Sequence, residues 1–283
     1  MPGIIWLASY PKSGNTWLRA FIANYFKNPD KPLPINELHK FAFGDGFLVH
    51  YERVSGQPKE ELGEEQLRAL RPQVHRYLAS HPNETAFVKT HNMVGDEGGV
   101  PIITPQATAG AVYVVRNPLD VVVSYAHHYM VPLDEAVDDL CERYKVIPGE
   151  DGKKIPDFIG DWSQHVRSWT EAPGLKLHTM RYEDMLKKPG PTFRALIKFL
   201  GVPLATSRLR KAITFTSFEE MAKQEQRDSF NEARPDGASR FFRKGAAGQW
   251  RESLNEDQVR RMVDAHGETM QRFGYLDKSG QPV

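Results

Sequence analysis

The segment Tyr10-Pro11-Lys12-Ser13-Gly14-Asn15-Thr16-Trp17 holds the first residues whose types and spacing could do chemistry. It lies between a short apolar run, Ile4 to Ser9, and a helically spaced one over residues 16–26. A turn from strand to helix offers unpaired backbone N–H groups and the positive end of the helix dipole, a setting that binds phosphate. Lys12 adds a point charge, Ser13, Asn15 and Thr16 add donors, and Gly14 leaves out a side chain where an oxyanion approaches. The G-x-x-x-x-G-K-[ST] order of a nucleotide-triphosphate loop is absent, because the lysine precedes the glycine. An ordinary strand-to-helix turn with a surface lysine fits the same residues.

Arg116 follows the apolar run AVYVV, and a guanidinium at a strand end can fork onto an oxyanion. Ser124 lies about two helical turns further on. Pairing of Arg116 with Asp120 is the competing reading. His91 ends FVKTH, and strand alternation puts it on the same side as Lys89. A histidine near a phosphate site can take a proton from a hydroxyl near neutral pH. The chain has ten histidines, and the others, His165 among them, have no comparable context. Phe241-Phe242-Arg243-Lys244-Gly245 leads to Gly248-Gln249-Trp250-Arg251, a basic, glycine-spaced segment that can close over an anion or serve as a plain surface loop.

These residues need a frame. Residues 4–9, 85–91, 111–118 and 175–185 read as strands, the last ending at Tyr182. Helical spacing marks 16–26, 63–78 with a break or kink near Pro72, 134–145, 155–172, 192–202 and 255–273. Asn117 and Pro118 read as the cap and first residue of a helix. Residues 28–60 read as loop with short helices, 206–224 as one or two short helices, and 225–248 as a polar loop. Strands alternating with helices predict an α/β fold: a central, mostly parallel sheet with helices on both faces. Ligands in such folds sit beyond the carboxyl ends of the strands, where Lys12, Lys89 with His91, and Arg116 all fall.

The length of 283 residues suits a single domain over 1–283. A net charge of +1 argues against a nucleic-acid partner held by general basicity. Cys141 is the one cysteine, which precludes an internal disulfide and fits a reducing compartment. No apolar run approaches the ~20 residues of a membrane span, and no signal-peptide pattern opens the chain, so the expected location is cytoplasmic. No ligand cluster for a metal stands out.

Taken together, the motifs resemble the cytosolic-type sulfotransferases that use 3'-phosphoadenosine 5'-phosphosulfate (PAPS). YPKSGNTW is similar to their 5'-phosphosulfate loop and VVRNPLDVVVSY to their 3'-phosphate motif. RYEDM, TSFEEM and FFRKGAAGQW match further family segments in order. The form ASYPKSGNTW looks like the bacterial branch that acts on small molecules. The resemblance implies that Lys12, Ser13, Gly14, Asn15, Thr16 and Trp17 bind the 5'-phosphosulfate, with Trp17 on the adenine. It implies that Arg116 and Ser124 hold the 3'-phosphate, that Tyr182, Thr216, Ser217 and Phe218 flank the adenine, and that Arg243, Lys244 and Gly245 close over the 3'-phosphate. His91 becomes the general base, assisted by Lys89, with Lys12 and Ser124 also catalytic. The product is adenosine 3',5'-bisphosphate (PAP). The dimer segment of eukaryotic members is not matched by Arg251 to Glu256, so oligomeric state stays open.

The reading is in-line transfer of a sulfuryl group from PAPS to a small-molecule hydroxyl. Two rivals share the opening: an ATP-dependent small-molecule kinase and a non-catalytic nucleotide-binding module. Phe41, Phe43, Phe47, Tyr51, His127, His128 and Tyr129 are candidates to line an aromatic or lipophilic acceptor pocket, and each also fits a core position.

Overall fold

The computed structural model describes residues 3–80, 86–150, 152–232 and 240–283. The β-branched opening forms a buried strand, β1 (Ile4–Ser9). Four further strands accompany it: β2 (Ala42–Gly44), β3 (Ala86–Thr90), β4 (Thr108–Val115) and β5 (Leu177–Arg181). They make a parallel sheet in the order β2-β3-β1-β4-β5, flanked by helices. β1 and β2 both run parallel to β3, with Leu7 opposite Lys89 and Ala42 opposite Phe87. The last six residues of β4 are buried, which is why its sequence is a continuous apolar run rather than an alternation.

The helices are α1 (Asn15–Lys27), α2 (Leu48–Ser55), α3 (Glu64–Ala79), α4 (Pro118–Tyr129), α5 (Leu133–Cys141), α6 (Trp162–Thr170), α7 (Tyr182–Lys187), α8 (Pro189–Phe199), α9 (Thr206–Phe215), α10 (Phe218–Asp228), α11 (Trp250–Ser253) and α12 (Glu256–Arg272). Two antiparallel ladders of two residues a side pair Asp96–Glu97 with Val100–Pro101 and Val146–Ile147 with Asp157–Phe158. Among the described residues no helix is long and apolar enough to cross a membrane.

Several expected boundaries move. The strand expected over 85–91 forms over Ala86–Thr90, so His91 stands just past its end; Thr85 lies outside the described residues. The third strand starts earlier and stops before Arg116. The strand expected to reach Tyr182 ends at Arg181, and Tyr182 opens α7. Helix α3 passes through Pro72 without interruption, since a proline removes one helical bond but the flanking turns still close. Helix α6 starts only at Trp162, because the Asp161 carboxylate accepts from the Gln164 amide and caps it there. Within 28–60, β2 is a strand of three residues, too short to leave a periodic signature. In the stretch expected as loop over 225–248, α10 persists to Asp228, and residues 233–239 lie outside the described residues.

Contacts divide the chain into two units. The first comprises Met1–Tyr10, Ala42–Tyr113 and Leu140–Thr179; the second comprises Pro11–Phe41, Val114–Asp139 and Met180–Val283. In the first, Trp6, Tyr51, Tyr113, Trp162 and Trp169 are buried, and Trp6 Nε1 donates to Thr108 Oγ1 at 2.8 Å. In the second, the rings of Phe21 and Phe193 stack at 3.9 Å, each burial stabilising by about 1.5–3 kcal/mol. A further cluster there joins Ala20, Ala23, Ile35, Leu38, Met221, Phe230 and Phe242. It anchors the start of the basic segment in the core.

Candidate active site

In the second unit, the turn before α1 has the backbone of an anion cradle. Lys12 takes φ 65° and Gly14 φ 108°. No side chain caps the N-terminus of α1 and no acid lies in its first turn, so no charge in that turn offsets the positive end of the helix dipole. Ser13, Asn15 and Thr16 are buried. Ser13 Oγ has no hydrogen-bond partner among the described residues. The need for glycine at 14 differs from the expectation. Its φ is left-handed, and a Cβ there would stand 2.7 Å from the Tyr182 ring, so the missing side chain makes room for an aromatic ring.

Tyr182 is the hub of this region. Trp17 meets it edge-on at 5.8 Å, and the Arg116 guanidinium lies over its ring at 4.3 Å. Arg116 Nη1 donates to the Lys12 carbonyl at 2.9 Å and Nη2 to the Ala246 carbonyl at 3.3 Å. Its Nε is buried without a partner among the described residues. The guanidinium therefore ties two backbone segments together instead of presenting a free fork. The competing reading, an Arg116–Asp120 pair, does not form; Asp120 instead accepts the amides of Gly248 and Trp250.

Helix α4 starts as expected, with Asn117 Oδ1 accepting the Leu119 amide at 3.0 Å. Glu183 braces this corner, accepting from the Asn117 amide and from the Tyr275 hydroxyl, both at 3.0 Å. Ser124 lies half-buried on α4. On the same helix the His127 imidazole is held below its ordinary range, by burial first and then by the charges of Arg243 and Lys12. The Lys12 ammonium sits over the Phe241 ring at 3.9 Å.

Thr216 and Ser217 serve the protein's own helices. The Thr216 hydroxyl donates to the Ala212 carbonyl at 2.8 Å, and Ser217 Oγ caps α10 by accepting the Glu220 amide. The ring of Phe218 occupies the space beside Gly245, where a Cβ would fall 2.1 Å from it. Gly245 has φ 56°, so no other residue fits there without strain. Arg243 and Lys244 are exposed; Arg243 donates to Gln249 Oε1 at 2.6 Å and Lys244 lies 3.8 Å from Glu252.

The first unit carries His91 and Lys89, both half-buried. His91 Nδ1 lies 2.8 Å from the Ser9 carbonyl. A carbonyl only accepts, so Nδ1 carries the proton and Nε2 keeps its lone pair. Burial pulls the imidazole well below its ordinary pKa, and the Lys89 charge pulls the same way, so the ring is neutral at neutral pH. His165 Nε2 in turn donates to the His91 carbonyl at 2.9 Å, and its Nδ1 accepts from the Tyr113 hydroxyl at 2.8 Å. Burial lowers the His165 pKa to about 4. Asp45 Oδ2 accepts from Thr90 Oγ1 at 3.2 Å and Asn92 Nδ2 at 3.1 Å, the two neighbours of His91. Burial, then the Asp157 charge, raises the Asp45 pKa to about 6.

Residues 2–274 match the sulfotransferase domain family. The chain belongs to that family. It is 27% identical over 290 residues to sulfotransferase 1A1 of the dog, covering 96% of this chain and 85% of the relative. It is 26% identical to the flavonol 3-sulfotransferase of Flaveria bidentis, covering 92% of this chain and 80% of that enzyme. The fold is similar to mouse sulfotransferase SULT7A1 complexed with PAP, with TM-score 0.60 and 23% identity, over 99% of this chain and 87% of that one. It is also similar to retinol dehydratase in complex with androsterone and PAP, with TM-score 0.66 and 19% identity, over 95% and 81% of the two chains.

In this sulfotransferase the second unit brings together Lys12 to Trp17, Arg116, Tyr182, Phe218 and the segment 241–250. The acceptor candidates divide between the units. Tyr51 is wholly buried in the first, its hydroxyl pushed up by burial, and so belongs to the core. Phe47 is exposed. Phe43 and Phe47 both pack edge-on against His50. Phe41 packs on Phe26, and Tyr129 on Tyr125. Three polar residues escaped the sequence reading as site candidates, His165, Asp45 and Glu225, and Asp120 entered it only as a competing partner for Arg116. For His165 a signal existed. It shares an apolar helix face with Trp162 and Trp169, where a polar ring must find buried partners.

Proposed function

We propose that the protein transfers a sulfuryl group from PAPS to the hydroxyl of a small-molecule acceptor, with residues 1–283 acting as one catalytic domain. Family membership supports the reaction class. The observation that carries the donor is a pair of buried polar atoms, Ser13 Oγ and Arg116 Nε, with no partner among the described residues. Buried polar groups are almost always bonded, and a doubly phosphorylated nucleotide supplies the missing acceptors. Lys12, Ser13, Gly14, Asn15, Thr16 and Trp17 take the 5'-phosphosulfate. Arg116, Ser124, Arg243, Lys244 and Gly245 take the 3'-phosphate, and Tyr182, Thr216, Ser217 and Phe218 flank the adenine.

His91 Nε2 receives the acceptor proton as the oxygen attacks sulfur. The new O–S bond forms while the bond from sulfur to the 5'-phosphate oxygen breaks, and PAP leaves with those electrons. Lys12 and the loop amides stabilise charge on that leaving oxygen, as in phosphoryl transfer. Lys89 assists by keeping the imidazole unprotonated. Retinol dehydratase structures hold androsterone and retinol, and a plant relative is named for a flavonol, which supports an aromatic or lipophilic alcohol as acceptor.

The test is a sulfation screen of phenols, sterols and alkanols read by product mass, with PAPS as donor. Product is expected with PAPS. His91→Ala should keep PAP binding and lose ~10²–10⁴-fold in rate. Full activity in that variant would remove His91 from the base role, and ATP-dependent phosphorylation without any sulfation would overturn the reading.

A further inference from the structure

The segment 241–250 has no regular structure before α11, yet it is fastened at both ends by carboxylates. At its start Glu225, on α10, accepts two successive amides: Phe241 N–H on Oε1 at 2.6 Å and Phe242 N–H on Oε2 at 2.9 Å. At its end Asp120, on α4, accepts Gly248 N–H on Oδ2 at 2.7 Å and Trp250 N–H on Oδ1 at 3.2 Å. Asp120 is 1% exposed. A carboxylate so deeply buried is tolerated only when its oxygens are satisfied. It stands in the first turn of α4, whose amides an acid there would ordinarily serve, but Asn117 already caps that helix.

Between the fastenings the backbone needs help to hold one shape. Gly245 and Gly248 have φ 56° and 82°, and glycines lose the most freedom on ordering. The Ala246 carbonyl accepts from Arg116 Nη2 at 3.3 Å and Gln249 Nε2 at 3.0 Å. Arg243 and Lys244 sit between the two carboxylate anchors, so the position of their Cα atoms is set by the four amide bonds.

We propose that Asp120 and Glu225 are positioning residues that hold the 241–250 segment in its phosphate-binding shape before the donor arrives. This rests on the reading that the segment takes the 3'-phosphate. Neither acid touches the donor; each lowers the entropy lost when the nucleotide binds. The charge of each carboxylate is taken up by the two amides it accepts.

The experiment is calorimetric titration of the full chain and of Glu225→Gln and Asp120→Asn with PAP and with adenosine 5'-monophosphate, which lacks the 3'-phosphate. The parent protein is expected to prefer PAP. Each variant should bind PAP about tenfold more weakly and change its affinity for the monophosphate by less than about twofold. Equal loss for both nucleotides would show a merely structural role, and unchanged PAP affinity would remove any role; either overturns the inference. A parent protein with no preference for PAP would overturn the 3'-phosphate reading itself, and with it this one. Asp120 is buried and its variant is the one at risk of misfolding. Glu225 is half-buried, so its variant carries the test alone if needed.

Discussion

His165 Nε2 donates its proton to the main-chain oxygen of His91, 2.9 Å away. Both ring nitrogens of His165 are thereby engaged, one by a carbonyl and one by the Tyr113 hydroxyl, so the ring cannot turn without breaking a buried bond. It fixes the peptide that carries His91.

Loss of that bond should show in turnover rather than in donor binding. His165→Ala is expected to lower kcat by about tenfold, the worth of one buried hydrogen bond and some packing, with PAP affinity unchanged. His165→Gln, whose amide can still donate, should recover most of the rate. Steady-state kinetics beside PAP titration checks both; a parallel loss of PAP affinity would assign His165 to general stability.

The pH profile follows from the His91 environment. The base proposed here works when neutral, and burial with the Lys89 charge lowers the His91 pKa. The acid limb of kcat/KM should therefore fall below the ordinary histidine value of about 6.5. An aliphatic alcohol is the acceptor for this measurement, because it does not titrate in the range. A limb at or above 6.5 would show that the desolvated imidazole is not the titrating base.

Asp45 and the buried histidines act oppositely on stability. The histidine pKa values are depressed, to about 4 for His165 and about 3 for His75, so the unfolded chain binds more protons and stability falls as pH drops below the unfolded value of about 6.5. The Asp45 pKa is raised to about 6, so the folded state binds the extra proton and its contribution falls as pH rises from about 4 to 6. Asp45→Asn removes the opposing slope. Urea unfolding at pH 4.5 and 6.5 should give a larger stability difference in the variant than in the parent; an unchanged difference would contradict the assigned shift.

Gly14→Ala should destabilise by about 1–3 kcal/mol, because a side chain at positive φ is strained and would also press on the Tyr182 ring. Thermal unfolding reports the first effect, and reduced PAP affinity reports displacement of the loop. A variant with parental stability would show that the backbone relaxes freely at this turn.

The parts of the fold that could be read from sequence were those where local chemistry and tertiary role agree. Ile4 to Ser9 is apolar because it is buried, and Asn117-Pro118 caps a helix with no outside help. Tyr182 was misassigned to a strand because the alternation of LHTMRY does not reveal that the helix starts there. The segments proposed to hold the donor were visible because a lysine, a glycine and hydroxyls crowd into a few residues. Glu225 was not, and Asp120 was read only as a competing partner for Arg116, because the amides that these acids accept, 16 and 128 residues away, cannot be read from a helix's sequence. Ser217 was read only as a neighbour of the adenine, and its hydroxyl also closes a helix end by accepting the Glu220 amide, a role that its sequence context did not suggest.

Arg116 bonds the carbonyl of Lys12 with one nitrogen and that of Ala246, 130 residues later, with another. A chain emerging from the ribosome has the first of these carbonyls before the guanidinium itself and the second only 130 residues after it. Until residue 246 is available, the guanidinium lacks one of its two anchors and the Lys12 loop lacks this tie to the basic segment. On the proposed donor reading, the nucleotide site is completed only once residue 246 has been made, and a chain truncated short of that point is expected to bind PAP more weakly however well its sheet has formed.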